Sequence, residues 1–205
     1  TDANGGPTDY VGKTITLSGD TSQSSSIVGY NESTKLAVVV PQWEPFYLSL
    51  PGTVNNYPST PDSAATSITG NIDIRVKAAA DDWTPGSFQD LVAKDDTNAD
   101  RGYVFALDQS STGKLLFAYS PDGSTVRSAT SSAAPGFTDG AIHWVRVTYD
   151  TSSGATLFYT SSDGQSWTQL GTEQTLTSGT IFDGGQLLVV GSRQSQNVPF
   201  TGKIY

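Results

Sequence analysis

The chain contains no cysteine and no methionine. Without thiols it has no disulfide framework and no thiolate nucleophile, and Cys-ligated zinc is excluded. Glutamate occurs only at Glu32, Glu44 and Glu173, and His143 is the one histidine. No apolar run approaches the roughly 20 residues that cross a bilayer as a helix, and no basic segment leading into an apolar one opens the chain. An opening residue Thr1 and the lack of methionine are expected of a processed chain or of part of a longer one.

What is abundant points to strands and turns. Ser and Thr are frequent, and 21 Gly and 10 Pro punctuate the sequence, a composition that disfavours helices. The hydrophobic share, 36%, is low, but it is gathered into short runs with aromatics, unlike the diluted pattern of a disordered chain. Eleven basic against 20 acidic side chains give a net charge of −9. That sign repels nucleic-acid phosphates and anionic membrane surfaces, so neither nucleic-acid binding nor membrane insertion is expected.

Residues 1–9 (TDANGGPTD) offer nothing to bury and are expected to form a flexible arm or linker. Residues 10–44 carry three short apolar runs, at 13–17, 26–28 and 35–40, separated by polar turns, and are expected to form a small three-stranded β-module. So few large side chains make such a meander marginal alone. Its stability is then expected to come from packing on another domain or protein, with 42–45 (QWEP) as the joint.

From residue 45 to 205 short strands recur at sandwich-like spacing. The clearest is 72–77, where Ile72, Ile74 and Val76 alternate with Asp73, Arg75 and Lys77, the period-2 pattern of a strand with one buried face. Further strands are expected at 46–50, 103–107, 115–119, 142–149, 156–160 and 187–190. Asp122-Gly123 and Asp163-Gly164 each follow an apolar strand and suit tight hairpins. One good Asp-Gly motif of the sialidase Asp-box kind falls far short of the repeats a propeller needs.

The aspartate-rich run Asp95, Asp96, Asn98 and Asp100 is the best metal candidate. Hard oxygen ligands crowded into one loop suit calcium, although the EF-hand glycine and terminal glutamate are missing; the plainer alternative is a solvated hairpin loop. Most of Tyr57, Trp83, Tyr119, Trp144, Tyr159 and Trp167 are expected in the core. Trp83, with Asp82 beside it, lies in the polar, turn-rich segment 81–86 (DDWTPG), where a large ring is harder to bury, and is expected to meet a glycan or a protein. His143 sits in an apolar strand next to Trp144 and is expected to be packed by its neighbours rather than to serve a catalytic triad.

Several segments, taken in order, carry a resemblance: Leu50-Pro51-Gly52 with Tyr57, Asp73 to Val76, Trp83-Thr84-Pro85, Gly113-Lys114-Leu115, His143 to Val147, Phe158 to Thr160 with Trp167, and Phe200 to Tyr205. Residues 47–205 resemble the laminin-G-like, concanavalin A-like jelly-roll domains of bacteriophage structural proteins and secreted actinobacterial proteins. The front part, 12–17 through 37–43, resembles a short β-module of phage tail-fibre and capsid-associated proteins.

The resemblance implies an all-β fold: a two-sheet antiparallel jelly-roll sandwich of concanavalin A-like type, with a small N-terminal β-module. It implies a non-enzymatic structural protein of a virion surface, a capsid decoration or tail-fibre component, whose lectin-like domain adheres to a surface or to host glycans. The front module would join other virion proteins, and a homo-oligomer, a trimer for preference, would follow. A secreted bacterial carbohydrate-binding or adhesion module is the alternative. No cofactor is required, though calcium at a sandwich rim fits the resemblance. Glycosidases on this fold place paired carboxylates on one strand; here Asp73 stands alone on its register and no two of the three glutamates share a strand, so hydrolysis is not expected.

Overall fold

The computed structural model describes residues 14–17, 23–31, 36–41, 46–96, 100–194 and 198–205. Among these every regular element is a strand. The expected arm at 1–9 and the joint at 42–45 lie outside the described residues. The chain divides into two compact units, 1–46 and 47–205.

In the first unit β1 (Thr14–Leu17), β2 (Gln23–Asn31) and β3 (Leu36–Pro41) form an antiparallel meander. A register shift between Ile27 and Gly29 marks a bulge in β2, which bends the strand and increases its twist.

The second unit holds thirteen strands: β4 (Leu48–Pro51), β5 (Ser59–Thr60), β6 (Ile72–Ala80), β7 (Gln89–Asp95), β8 (Arg101–Leu107), β9 (Leu115–Tyr119), β10 (Arg127–Thr130), β11 (His143–Tyr149), β12 (Ala155–Ser161), β13 (Thr168–Gln169), β14 (Gln174–Thr175), β15 (Leu188–Val190) and β16 (Thr201–Ile204). They build two antiparallel sheets. One runs β10-β9-β8-β7-β15-β5 and the other β13-β12-β11-β6-β16-β4, with β14 also paired to β12.

The two sheets make a sandwich because alternate residues of each face the other. Leu91, Tyr103, Phe105, Leu107, Leu115, Phe117 and Tyr119 from the first sheet join Leu50, Ile72, Val76, Val145, Val147, Tyr149 and Phe158 from the second in one buried cluster. Tyr149 meets Tyr119 and Phe117 across the layers with ring centroids 4.6 and 5.6 Å apart, the tilted contacts that aromatic quadrupoles favour. The expected all-β, two-sheet antiparallel sandwich is therefore what the chain adopts.

One strand went unread in the sequence, and one local expectation needs correction. Strand β7 was hidden in the sequence because Asp90, Lys94 and Asp95 interrupt its apolar pattern and a bulge between Asp90 and Val92 shifts the register. The Asp-Gly pairs do not make two-residue hairpins. Tyr119 pairs with Arg127 and Thr160 with Thr168, so the pairs sit inside the longer loops 120–126 and 161–167. In both loops the aspartate Oδ1 accepts two successive backbone N–H groups, from Ser124 and Thr125 onto Asp122 and from Gln165 and Ser166 onto Asp163. Side-chain capping of this kind replaces the tight-turn hydrogen bond.

Candidate functional site

The structure places the expected ring contact elsewhere. Trp83 is 1% exposed, so it presents no stacking face, and the expectation that its turn-rich setting keeps it in solvent is corrected. The physical reason is that its polar edge is satisfied inside. Its indole N–H donates to the Ala141 carbonyl at 3.2 Å, its backbone N–H donates to Asp139 Oδ1 at 2.8 Å, and Phe137 packs edge-on at 4.9 Å. Asp82 is exposed, and its Oδ1 accepts from the backbone and hydroxyl of Thr84 at 2.7 and 3.1 Å, which makes it a turn cap. His143 stacks flat on Phe137 at 3.7 Å, and burial pushes its imidazole below the ordinary value.

The acidic run is dispersed. Asp95, 5% exposed, faces Arg101 at 3.4 Å and Arg193 at 3.8 Å, while Arg193 closes on buried Asp90 at 2.6 and 3.0 Å. Burial pushes the Asp95 carboxyl up to about 6 against the pull of Arg193 and Arg101, and burial likewise raises Asp90 against its bond from Arg193. The Asp96 backbone N–H donates to the Asp100 carbonyl at 3.2 Å, and Asp100 Oδ1 accepts from the Gly185 N–H at 3.1 Å. Asn98 lies outside the described residues.

Calcium asks for six to eight oxygen ligands. Asp100 Oδ1 and the Oε1 of Gln186, which is buried with no hydrogen-bond partner among the described residues, converge beside Gly184: a Cβ there would stand 1.8 and 2.3 Å from them. The carbonyls of Gly184 and Gln186 are already taken by the ammonium of buried Lys94, at 2.6 and 3.2 Å, which also pairs with Asp62 at 2.9 Å. Among the described residues no three acidic or imidazole side chains are grouped to hold a metal, so these residues do not by themselves supply a calcium shell.

The concentration of recognition chemistry lies on the solvent side of the second sheet. Register sets Arg75 of β6 opposite Arg146 of β11, Arg146 opposite Tyr159 of β12, and Tyr159 opposite Gln169 of β13, one row across four strands. Lys77 stands opposite Trp144 in the next row of the same face. Trp167, just ahead of β13, meets Trp144 edge-on at 6.4 Å. The Arg75 and Arg146 guanidiniums lie 5.7 and 5.5 Å from the Trp167 ring, and Arg146 lies 4.9 Å from Tyr159. Along β16 and β4 the pattern repeats with Lys77 over Tyr205 at 5.0 Å and Lys203 over Tyr47 at 4.4 Å. Such cation–π contacts contribute about 0.5–1 kcal/mol each at exposed sites, and here they hold planar groups in fixed orientations.

The loop 161–167 fixes the two tryptophans. Gly164 has φ of +74°, and a Cβ on it would stand 2.6 Å from Trp144 Cε2, so only glycine lets the turn close onto that indole. Asp73 orders the arginines: Arg146 donates twice to it at 2.8 Å, and Arg75 donates at 3.1 and 2.9 Å. Partial burial opposes ionisation of Asp73, but the bonds from Arg146 and Arg75 outweigh it and hold the carboxyl at about 2. A carboxylate so clamped is neither a proton donor nor a free base near neutrality, and among the described residues its bonded partners are Arg75 and Arg146.

Trp144, Tyr159 and Trp167 belong to the six aromatics of which most were expected in the core. They are half-buried on the outer face. The signal that places them was available: Val145, Val147 and Tyr149 alternate with Trp144, Arg146 and Thr148, so the arginine marks its whole register as outward.

No family model matches the chain, and no curated protein does. Solved structures share its fold. The native heptameric SAP-like pentraxin of Limulus polyphemus superposes with a TM-score of 0.52 at 14% identity, covering 76% of this chain and 71% of that one. Domains LG4-5 of the mouse laminin alpha1 chain superpose at 0.50 with 16% identity, covering 82% of this chain and 43% of that one. The CBM40 of the Ruminococcus gnavus IT-sialidase, bound to alpha2,6 sialyllactose, gives 0.47 at 15% identity over 78% of this chain and 88% of that one. The unit 47–205 thus has the jelly-roll sandwich that its sequence pattern resembles.

Proposed function

We propose that this chain is a non-enzymatic adhesion module that meets carbohydrate on the outer face of its seven-stranded sheet. The observation that carries the reading is the array of Trp144, Tyr159 and Trp167 interleaved with Arg75 and Arg146 on one solvent-facing register. Aromatic planes stack on the C–H faces of sugar rings, and the remaining guanidinium N–H groups donate to hydroxyl or acid oxygens. Asp73 sets the geometry in advance, which lowers the ordering cost of binding.

The finer setting we propose is a virion surface, as a capsid decoration or tail-fibre component. The three-stranded unit would attach the chain to other virion proteins, and a homo-oligomer, a trimer for preference, would multiply weak glycan contacts. This part rests on the resemblance of the front segment to phage β-modules. A secreted bacterial carbohydrate-binding module uses the same face without the virion. No cofactor is required, and calcium at the 95–100 loop is an optional addition.

A glycan array read with the full chain, its Trp167→Ala variant and a parallel set with calcium chelated tests the binding. Signals that vanish with Trp167 support the reading; an array silent for the native chain, or signals indifferent to Trp167, overturns it. Purified particles that hold the chain at fixed high copy number support the virion setting, and a chain found only as a free secreted monomer sinks it.

A further inference from the structure

Beside the aromatic row lies a cleft of about 360 Å³, the size range of small-ligand sites. Asn71, Thr148, Asp150, Ser153, Ala155 and Leu157 contribute to its lining. It belongs to the same surface as the array. Thr148 pairs with Asp73 on one side and with Leu157 on the other, and each stands two residues along its strand from Arg146 and Tyr159. Two residues along a strand is the same face, about 7 Å on.

The polar wall of the cleft is fixed. Asp150 Oδ1 is saturated by the Ser152 backbone and hydroxyl at 2.8 and 2.6 Å and by the Ser153 N–H at 3.0 Å. Its Oδ2 accepts from the Asn71 amide at 3.4 Å, and the Ser153 hydroxyl also bonds this carboxyl. Bonds from Ser152 and Ser153 hold this carboxyl at about 2, so the acceptor is a carboxylate at every ordinary pH. Asn71 Oδ1 accepts the backbone N–H and the hydroxyl of Thr151, both at 2.9 Å. The side-chain amide is therefore oriented by its own network, with Nδ2 toward Asp150 and one N–H to spare. A charged acceptor and a neighbouring donor line the cleft together with the carbons of Leu157 and Ala155.

We infer that this cleft is a subsite for one neutral pyranose unit, two adjacent hydroxyls engaging Asp150 Oδ2 and Asn71 Nδ2 while the ring's apolar face rests on Leu157 and Ala155. The inference rests on the glycan reading of the adjoining face and adds the class of sugar at its end. A hydroxyl donates to Asp150 and can accept from Asn71 in the same geometry, which suits a vicinal diol. A carboxylate- or sulfate-bearing sugar is repelled by the ionised Asp150, so the acidic groups of a mixed glycan are directed to the arginine row instead.

The test is heteronuclear NMR on the isotopically labelled full chain, titrated separately with the methyl glycosides of glucose, galactose, mannose and N-acetylglucosamine. The expected result is a saturable shift of the Asn71 and Thr151–Ser153 amides and the Leu157 methyls with at least one of them. Asp150→Asn, which keeps the Oδ1 cap, is expected to weaken that binding about tenfold through loss of a charged hydrogen bond. Because that variant touches a turn, Leu157→Arg serves as a second: it fills the cleft from a solvent-facing strand position and is expected to abolish the shifts. Shifts absent for all four glycosides, or unchanged in both variants, overturn the inference. The array of longer glycans with Trp167→Ala separates the two claims. Binding there that depends on Trp167 but not on Asp150 or Leu157 removes the cleft and keeps the face. Cleft shifts without any Trp167 dependence remove the face and keep the cleft.

Discussion

Arg75 and Arg146 stand directly opposite each other across β6 and β11, and both close in a two-pronged fork on the single carboxylate of Asp73. Like charges at paired positions repel; the shared acid offsets that repulsion and holds both guanidiniums within 5.7 and 5.5 Å of the Trp167 ring. The surface is thus assembled by electrostatics acting on strand register.

Replacing Asp73 by Asn removes the shared anion. Asp73 is 39% exposed in its side chain, so the stability change is modest, about 1 kcal/mol or less. The folded carboxyl, near 2, lies below its unfolded value of 3.8. Its contribution is complete above pH 4 and is lost as pH falls through 2. Urea melts across that window are expected to slope less for the Asn variant than for the native chain, and identical slopes refute the coupling.

Asp95 acts in the opposite sense. Its folded carboxyl sits near 6, above the ordinary 3.8. The contribution is full below pH 4 and disappears as pH rises through 6, because deprotonation leaves a buried charge only partly met by Arg101 and Arg193. Asp95→Asn is expected to flatten the fall in melting temperature between pH 4 and 7; an undiminished fall assigns it to another group.

Gly164→Ala forces a Cβ into the Trp144 ring at positive φ. The cost is about 1–3 kcal/mol, and the near-ultraviolet circular dichroism of the tryptophans is expected to change with it. Native spectra with an unshifted melt would mean the turn relaxes freely.

Trp83→Phe separates core from face. Shrinking a buried ring and orphaning the Ala141 carbonyl are expected to cost about 1–3 kcal/mol. Glycan-array signals of the folded variant are expected to match the native chain. A selective loss of those signals would return Trp83 to the binding surface.

The sandwich was legible because its central strands carry plain alternation, as in Ile72, Ile74 and Val76 against Asp73, Arg75 and Lys77. β7 was not, since Asp90, Lys94 and Asp95 look like loop residues until Arg193 and the Gly184 carbonyl arrive from far along the chain to satisfy them. The burial of the aromatics was misjudged for a related reason. Local polarity suggested that Trp83 meets solvent and that most of the other large aromatics are buried. Burial was decided instead by partners distant in sequence: Phe137 and Ala141 close over Trp83, while Arg75 and Arg146 hold Trp167 at the surface.

The outer edge of β12 is occupied twice, by β13 at Tyr159–Thr160 and by β14 at Ala155–Thr156. Those backbone groups of β12 have no vacancy for an incoming strand, and the flank nearest the tryptophans ends in strands of two residues each, a short edge that disfavours sheet-to-sheet pairing. Under the proposed adhesion role, a gain in grip comes from repeating whole modules side by side, which makes copy number, rather than a longer groove, the quantity on which avidity depends.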